Sequence, residues 1–185
     1  MTLAHVLAFA GPTGTGKTTI AKLLADSIRW KYVSFGTFVA EQARREGLDP
    51  RSRTTLQDLG QQLVEQNVAQ FVRGILLSTT FSREESVVLD GLRHQEVLTE
   101  FRNQTEARWV RLIFLTAKLD VRRARLELRD GDDITLTDSH PVESQLGVLR
   151  ENANLLIDTS DLSPFQAVQQ VKKWLVITGA ARSYS

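Results

Sequence analysis

The chain has 185 residues, 42% of them hydrophobic, which is enough for one well-buried core and short for two. The formal net charge is +1, so neither nucleic acid nor an anionic membrane surface is indicated as a partner, and no apolar stretch reaches membrane-spanning length. Cysteine is absent, which excludes disulfides and cysteine-ligated zinc. This length predicts a single domain over residues 1–185. We expect it to be cytoplasmic, because no basic leader precedes the first apolar run.

Strand and helix patterns alternate along the chain. In chain order they are strand 5–10, helix 19–26, strand 31–35, helix 37–46, helix 56–77, strand 86–90, helix 94–102, strand 108–116, helix 120–129, helix 142–153, strand 155–158 and helix 163–176. Because Gly60 and Gly74 can interrupt a helix, the sequence does not fix where the helix at 56–77 begins and ends. This alternation predicts an α/β fold, with a parallel sheet of about five strands and helices on both faces.

Residues 11–18, Gly-Pro-Thr-Gly-Thr-Gly-Lys-Thr, fit the phosphate-loop pattern G-x-x-x-x-G-K-[ST] between the first strand and the first helix. Glycines allow successive backbone N–H groups to turn around a phosphate at the positive end of a helix. Lys17 can reach the β- and γ-phosphates, and the Thr18 hydroxyl can bind Mg²⁺. The predicted nucleotide-binding residues here are Gly11, Thr13, Gly14, Thr15, Gly16, Lys17, Thr18 and Thr19.

In a parallel sheet of this kind, ligands bind beyond the carboxyl ends of the strands. Asp90 closes the apolar strand at 86–90, as expected of a second carboxylate that organises Mg²⁺. Capping of the next helix is the alternative role of Asp90. Arg93, three residues later, would point into the same crevice and can bind an acceptor phosphate through two parallel hydrogen bonds, unless it is an ordinary surface arginine.

Three segments together carry a family resemblance. The phosphate loop is followed by Asp-Gly-Leu-Arg at 90–93, by Arg-Arg-Ala-Arg-Leu-Glu-Leu-Arg at 122–129 and by Ala-Asn-Leu-Leu-Ile-Asp-Thr at 153–159. This series resembles the nucleoside monophosphate kinase group of phosphate-loop kinases and, at its end, dephospho-coenzyme A kinases. The resemblance implies ATP and Mg²⁺ as cofactors, Arg125 against the adenine and Arg129 on the transferred phosphate. It also implies a short lid at about 130–141 and acceptor-binding helices at about 37–80.

The spacing of the arginines agrees with those implied roles. Arg122, Arg125 and Arg129 follow i, i+3, i+7 spacing and share one helical face. An arginine face can balance the charge that a transferring phosphoryl group spreads over its oxygens. A solvated helix face is the alternative. No potential metal-ligand or catalytic partner stands at a characteristic sequence spacing from His94 or His140, so we interpret both as structural.

The acceptor side departs from that group. An acidic residue and then an arginine follow the second strand in monophosphate kinases, whereas this chain has Phe-Gly-Thr-Phe-Val-Ala at 35–40. Phe35 and Phe38 can stack on a base, or they can pack in the core. Four arginines downstream are candidates to replace the missing one: Arg44, Arg45, Arg51 and Arg53.

We therefore predict ATP- and Mg²⁺-dependent phosphoryl transfer to a small molecule, foremost a ribo- or deoxyribonucleoside monophosphate. Lys17, Asp90 and Arg129 are the predicted catalytic residues, and Thr18 and Asp90 the predicted metal ligands. A hydroxyl acceptor such as dephospho-coenzyme A is an alternative, with Asp90 as general base. The second class is a regulatory NTPase without a small-molecule acceptor; against it, the chain has neither Asn-Lys-x-Asp nor a glutamate directly after Asp90.

Overall fold

The structure, a computed structural model, describes residues 3–81, 84–107, 109–130 and 145–179, except for the side chains of residues 129 and 130. The described strands are β1 (His5–Ala10), β2 (Lys31–Ser34), β3 (Val87–Leu92), β4 (Trp109–Thr116) and β5 (Leu155–Asp158). The described helices are α1 (Lys17–Ile28), α2 (Phe35–Arg45), α3 (Arg53–Ser78), α4 (Gln95–Thr105), α5 (Leu119–Asp130), α6 (Leu146–Glu151) and α7 (Pro164–Ile177). Residues 131–144, which include most of the predicted lid, lie outside the described residues.

All strand pairs of the sheet are parallel, and the strand order is β2-β3-β1-β4-β5. Alternate residues of the central strand β1 serve two separate cores. Val6 and Ala8 pack with residues of α2, α3 and α4 on one face, while Leu7 and Phe9 pack with residues of α1 and α7 on the other. A strand that is buried on both faces has a continuous apolar sequence, and β1 has such a sequence. The predicted parallel sheet with helices on both faces is confirmed.

The strand β3 continues two residues past Asp90, where the sequence predicted its end. Phe9 pairs with Asp90, but the next residue of β1, Ala10, pairs with Leu92. Gly91 is therefore the extra residue of a β-bulge, and its φ of 87° is one that glycine adopts without strain. The bulge changes the direction of the chain between Asp90 and Arg93.

The helix α3 is longer than predicted and is broken at its centre. Asn67 has extended backbone angles, φ −166° and ψ 95°, inside the helical run. Its side-chain Oδ1 accepts a 2.9 Å hydrogen bond from the backbone N–H of Gln70, so Asn67 caps a new helical start. Of the two glycines in this helix, Gly74 serves close packing, since a Cβ there would lie 2.8 Å from Cζ of Phe38. Within the described ranges, no helix combines the length and the apolar character needed to cross a membrane.

Candidate active site

The phosphate loop lies at the carboxyl end of β1 and leads into α1, whose N-cap is Gly16. Gly11, Gly14 and Gly16 have positive φ angles of 136°, 85° and 84°. A Cβ on Gly11 would collide with the carbonyl oxygen of Leu115 on β4, and one on Gly14 would lie 2.9 Å from the carbonyl oxygen of Arg122. Glycine is thus required both by backbone conformation and by close packing of the loop against β4 and α5.

Lys17 and Thr15 both hydrogen-bond to the outer part of the loop. The Lys17 ammonium donates to the carbonyl oxygen of Pro12 at 2.7 Å, and the Thr15 hydroxyl donates to the same oxygen at 2.9 Å. The first of these bonds holds the Lys17 side chain against the phosphate loop. Thr13 and Thr15 are buried, while Thr18 and Thr19 in the first turn of α1 are exposed.

Asp90 is a buried carboxylate that accepts two side-chain hydrogen bonds. It is 3% exposed, and its Oδ2 accepts hydrogen bonds from the Thr18 hydroxyl at 2.8 Å and from the Tyr32 hydroxyl at 2.7 Å. Its other oxygen, Oδ1, is buried without a hydrogen-bond partner among the described residues. A buried unpaired carboxylate oxygen is costly unless a ligand satisfies it. Carboxylate and hydroxyl oxygens are ligands that Mg²⁺ prefers, so these side chains fit that cation.

Tyr32 was not among the predicted site residues. Burial, then the negative charge of Asp90 and the hydrogen bond to it, raise the pKa of Tyr32 far above its ordinary value. Its phenol therefore keeps its proton at neutral pH and acts as a donor to Asp90. The two residues belong to adjacent strands, β2 and β3, which explains why local sequence did not connect them.

The arginine face of α5 lies against the phosphate loop. Arg122 is 7% exposed, and its Nε donates a 2.7 Å hydrogen bond to the carbonyl oxygen of Thr13. Arg125 extends between the loop and the segment after β5: its Nη2 donates to the carbonyl oxygen of Thr159 at 2.7 Å, and its Nη1 to the Thr159 hydroxyl at 3.1 Å. Thr159, which sequence reasoning missed, donates in turn to the carbonyl oxygen of Thr15 at 2.9 Å. The Arg129 side chain lies outside the described residues.

A single cleft of about 550 Å³ runs from the phosphate loop to the space between α2, α3 and α4. The predicted site residues on its wall are Thr13, Gly14, Thr15, Gly16, Lys17, Thr18, Thr19, Phe35, Asp90, Arg93 and Arg125. The part of the cleft beyond Asp90, which we call the acceptor lobe, is lined by Phe35, Val39, Arg53, Leu56, Gln57, Gln61, Val64, Phe71, Arg93, His94 and Val97. Its wall is mainly apolar, with polar groups from α3 and from the segment after β3.

The two phenylalanines proposed as base-stacking residues have different surroundings. Phe35 lies on the cleft wall and stacks on Phe71, with ring centroids 6.1 Å apart and planes at 11°. Phe38 does not line this cleft; it meets Phe71 edge to face at 5.6 Å and fits against Gly74. Its position is that of a packing residue between α2 and α3.

Of the four downstream arginines, Arg53 alone lines the cleft. It begins α3, and Gln57 and Gln61 follow it at four-residue intervals on the same helical face. That i, i+4, i+8 spacing was present in the sequence, but it indicates only a shared face. The direction of the face depends on how α3 packs against α2 and α4.

His94 lies on the cleft wall as well; the structural role expected from the sequence stays a prediction. It is 5% exposed, and its Nδ1 is 3.7 Å from a carboxylate oxygen of Glu96, too far for a hydrogen bond. Burial lowers the pKa of His94, and the negative charge of Glu96 only partly offsets this. The imidazole is therefore neutral at pH 7.

A phosphate loop after the central strand of a parallel five-stranded sheet, with a buried carboxylate at the end of the neighbouring strand, defines a phosphate-loop kinase. The chain belongs to the AAA domain family, whose model matches residues 7–161. Together with relatives named cytidylate kinase, this match confirms the resemblance to nucleoside monophosphate kinases, and the chain is an ATP-dependent small-molecule kinase. Phosphate-loop kinases generally use ATP with Mg²⁺.

The similarity to relatives and to solved structures covers nearly the whole chain. Cytidylate kinase of Sulfurisphaera tokodaii is 26% identical over 164 residues, 88% of this chain and 84% of that protein. Cytidylate kinase of Methanocaldococcus jannaschii is 24% identical over 170 residues, 91% and 89% of the two chains. A crystal structure of a Thermus thermophilus protein has a TM-score of 0.63 at 17% identity, with 96% of this chain and 98% of that chain covered. Shikimate kinase from Bacteroides thetaiotaomicron, at 18% identity, covers 94% and 98% with a TM-score of 0.53.

Proposed function

We propose that this kinase transfers the γ-phosphoryl group of ATP to the phosphate of a ribo- or deoxyribonucleoside monophosphate, and that cytidylates are the first acceptors to test. The observation that carries the proposal is the continuity of the cleft. It joins the phosphate loop to an acceptor lobe that combines an apolar wall with two arginines, Arg53 and Arg93. Relatives of similar length that are named cytidylate kinase support the same substrate class.

The ATP phosphates are assigned to the loop N–H groups, the start of α1 and Lys17. Thr18 and Asp90 would hold Mg²⁺, which when bound draws negative charge from the phosphate oxygens. Arg125 lies between the loop and Thr159, where it can face the nucleotide from the side of β5. Arg129 is assigned to the charge of the transferred group, as the family resemblance implies.

The acceptor lobe supplies separate groups for the phosphate and for the base. Arg93 and Arg53 are assigned to the acceptor phosphate, because a guanidinium binds phosphate through two parallel hydrogen bonds. Phe35 and Phe71 contribute to the apolar wall that the base would contact, and the amides of Gln57 and Gln61 offer donors and acceptors for its edge. Residues 37–80 accordingly form the acceptor-binding part of one domain over residues 1–185.

In the reaction, an oxygen of the acceptor phosphate forms a bond to the γ-phosphorus of ATP. The bond from that phosphorus to the β–γ bridging oxygen breaks, and the products are ADP and a nucleoside diphosphate. The attacking phosphate oxygen is already ionised at neutral pH, so the step requires no general base. Asp90 can therefore keep both hydroxyl donors on its Oδ2 throughout the transfer.

The test is phosphoryl transfer from labelled ATP to a panel of ribo- and deoxyribonucleoside monophosphates, dephospho-coenzyme A and sugars. We expect a labelled nucleoside diphosphate, with the highest kcat/KM for CMP or dCMP. Transfer to dephospho-coenzyme A or a sugar alone would assign a hydroxyl acceptor instead. ATP hydrolysis that no acceptor accelerates would place the chain among regulatory NTPases and overturn the proposal. Lys17→Ala serves as the inactive control for contaminating kinases.

A further inference from the structure

One oxygen of Asp90 accepts hydrogen bonds from two hydroxyl groups, one on a helix and one on a strand. Thr18, in the first turn of α1, and Tyr32, on β2, both donate to Oδ2 at 2.8 Å and 2.7 Å. Two donors on the same oxygen restrict rotation of the carboxylate about its last bond. The other oxygen, Oδ1, is buried and has no hydrogen-bond partner among the described residues.

Tyr32 is also close to the start of α2. Ser34 lies two residues later on the same strand, and its side chain partly offsets the rise in the pKa of Tyr32. The Ser34 side chain accepts a 3.2 Å hydrogen bond from the backbone N–H of Thr37 and so caps α2. The strand that carries Tyr32 therefore ends at the residue that caps α2, and Ser34 itself pairs with Asp90 on the neighbouring strand.

Asp90 lies between the two halves of the cleft. Phe35 and Gly36, at the start of α2, line the cleft beside the acceptor lobe, whereas Thr18 follows the phosphate loop. The Tyr32 ring is fixed by packing against the core on the α1 face, with the Lys22 ammonium 5.5 Å from its centroid. Packing thus places the ring, and its hydroxyl joins β2 to the Asp90 carboxylate.

We propose that Tyr32 is a positioning residue, which together with Thr18 holds the Asp90 carboxylate in one orientation beside the phosphate loop. The proposal rests on the phosphoryl transfer proposed above. Tyr32 acts through Asp90 and touches neither nucleotide nor acceptor in this role. Loss of its hydroxyl should therefore lower kcat more than it changes either KM.

The principal test is Tyr32→Phe, which keeps the ring and removes only the oxygen. We expect kcat to fall roughly tenfold, the typical effect of one hydrogen bond to a charged group, while KM for ATP and for the acceptor stay within about twofold. Lys22→Ala is the matched control, because it removes a contact to the same ring without touching Asp90 and should leave kcat unchanged. An unaltered kcat in Tyr32→Phe, or an equal loss in Lys22→Ala, would overturn the proposal.

A binding measurement separates this inference from the proposed function. The affinity for ADP is measured by titration calorimetry with and without Mg²⁺, in the wild-type chain and in Tyr32→Phe, with no acceptor present. We expect the gain in affinity that Mg²⁺ provides to shrink by up to about tenfold in the variant, with the Mg²⁺-free affinity unchanged. If no acceptor is phosphorylated but this gain still shrinks, the proposed function fails and the role of Tyr32 stands. An identical gain in both proteins rejects that role.

Discussion

Thr18 and Asp90 are 72 residues apart in the sequence, yet the Thr18 hydroxyl donates a 2.8 Å hydrogen bond to Oδ2 of Asp90. The contact follows from sheet order: β1 and β3 are parallel neighbours, so the helix that follows β1 starts beside the end of β3. The two metal-ligand candidates are therefore adjacent in the fold.

The first prediction concerns that hydroxyl. Thr18→Val keeps the shape of the side chain but removes the donor to Asp90, and we expect kcat to fall at least about tenfold. Thr18→Ser retains the hydroxyl and should stay within about threefold of wild type. Steady-state rates over a range of Mg²⁺ concentrations check both variants. Equal rates for Thr18→Val and Thr18→Ser would contradict a role for the hydroxyl.

Lys17 should be indispensable for turnover and dispensable for folding. Lys17→Ala removes a cation placed at the loop, and we expect kcat/KM to drop by about 100-fold or more, as when one charge-stabilising donor is lost from an active site. Far-ultraviolet circular dichroism should be unchanged, because the side chain contacts the loop and not a core. Lys22→Ala on the same helix is the control with normal activity. Retained full activity of Lys17→Ala would contradict the assignment.

Arg53 should contribute to binding of the acceptor and not of ATP. It lines the acceptor lobe, whereas Arg51, two residues earlier, is exposed and does not. We expect Arg53→Ala to raise KM for the acceptor roughly 10- to 100-fold, the effect of one or two charge-assisted hydrogen bonds, with little change in KM for ATP. Arg51→Ala is the matched control. If both variants changed KM for the acceptor equally, net charge would explain the effect and Arg53 would lose its assigned role.

Much of the fold was predictable because its signals are local. The apolar runs of β1 and β5 predicted their bounds at the observed residues, and the glycines of the phosphate loop predicted its place between β1 and α1. Residues that reach the site from other elements were not predictable in this way. Tyr32 reaches Asp90 through the pairing of β2 with β3, and His94, the N-cap of α4, lines the same cleft. Neither relationship has a counterpart in local spacing.

The close packing between α2 and α3 gives a test of stability without catalysis. A Cβ on Gly74 would lie 2.8 Å from the Phe38 ring, whereas a Cβ on Gly60 would lie at an ordinary 3.6 Å from Val39. We expect Gly74→Ala to lower the free energy of unfolding by about 1–3 kcal/mol through overpacking. Gly60→Ala should be neutral or stabilising by up to about 1 kcal/mol, because alanine favours the helix. Urea denaturation compares them; similar values for the two variants would contradict the packing argument.

His94 should make the protein less stable in mild acid. Its pKa is lowered in the folded chain, so below about pH 6.5 the unfolded chain binds a proton that the folded chain does not, and stability falls as pH decreases. The groups that affect it are the carboxylates of Glu96 and Glu65, the Gln145 side chain and the guanidinium of Arg93.

The slope due to His94 cannot exceed about 1.4 kcal/mol per pH unit, the limit for one proton. We expect His94→Gln to show a flatter dependence of the free energy of unfolding between pH 7.5 and pH 5.5 than wild type. Glu96→Gln should show a steeper one, because the Glu96 charge favours protonation and its removal lowers the pKa of His94 further. Urea denaturation at three pH values measures the slopes. Parallel curves for wild type and His94→Gln would mean that other groups govern acid stability, and that the buried imidazole is tolerated in its charged form.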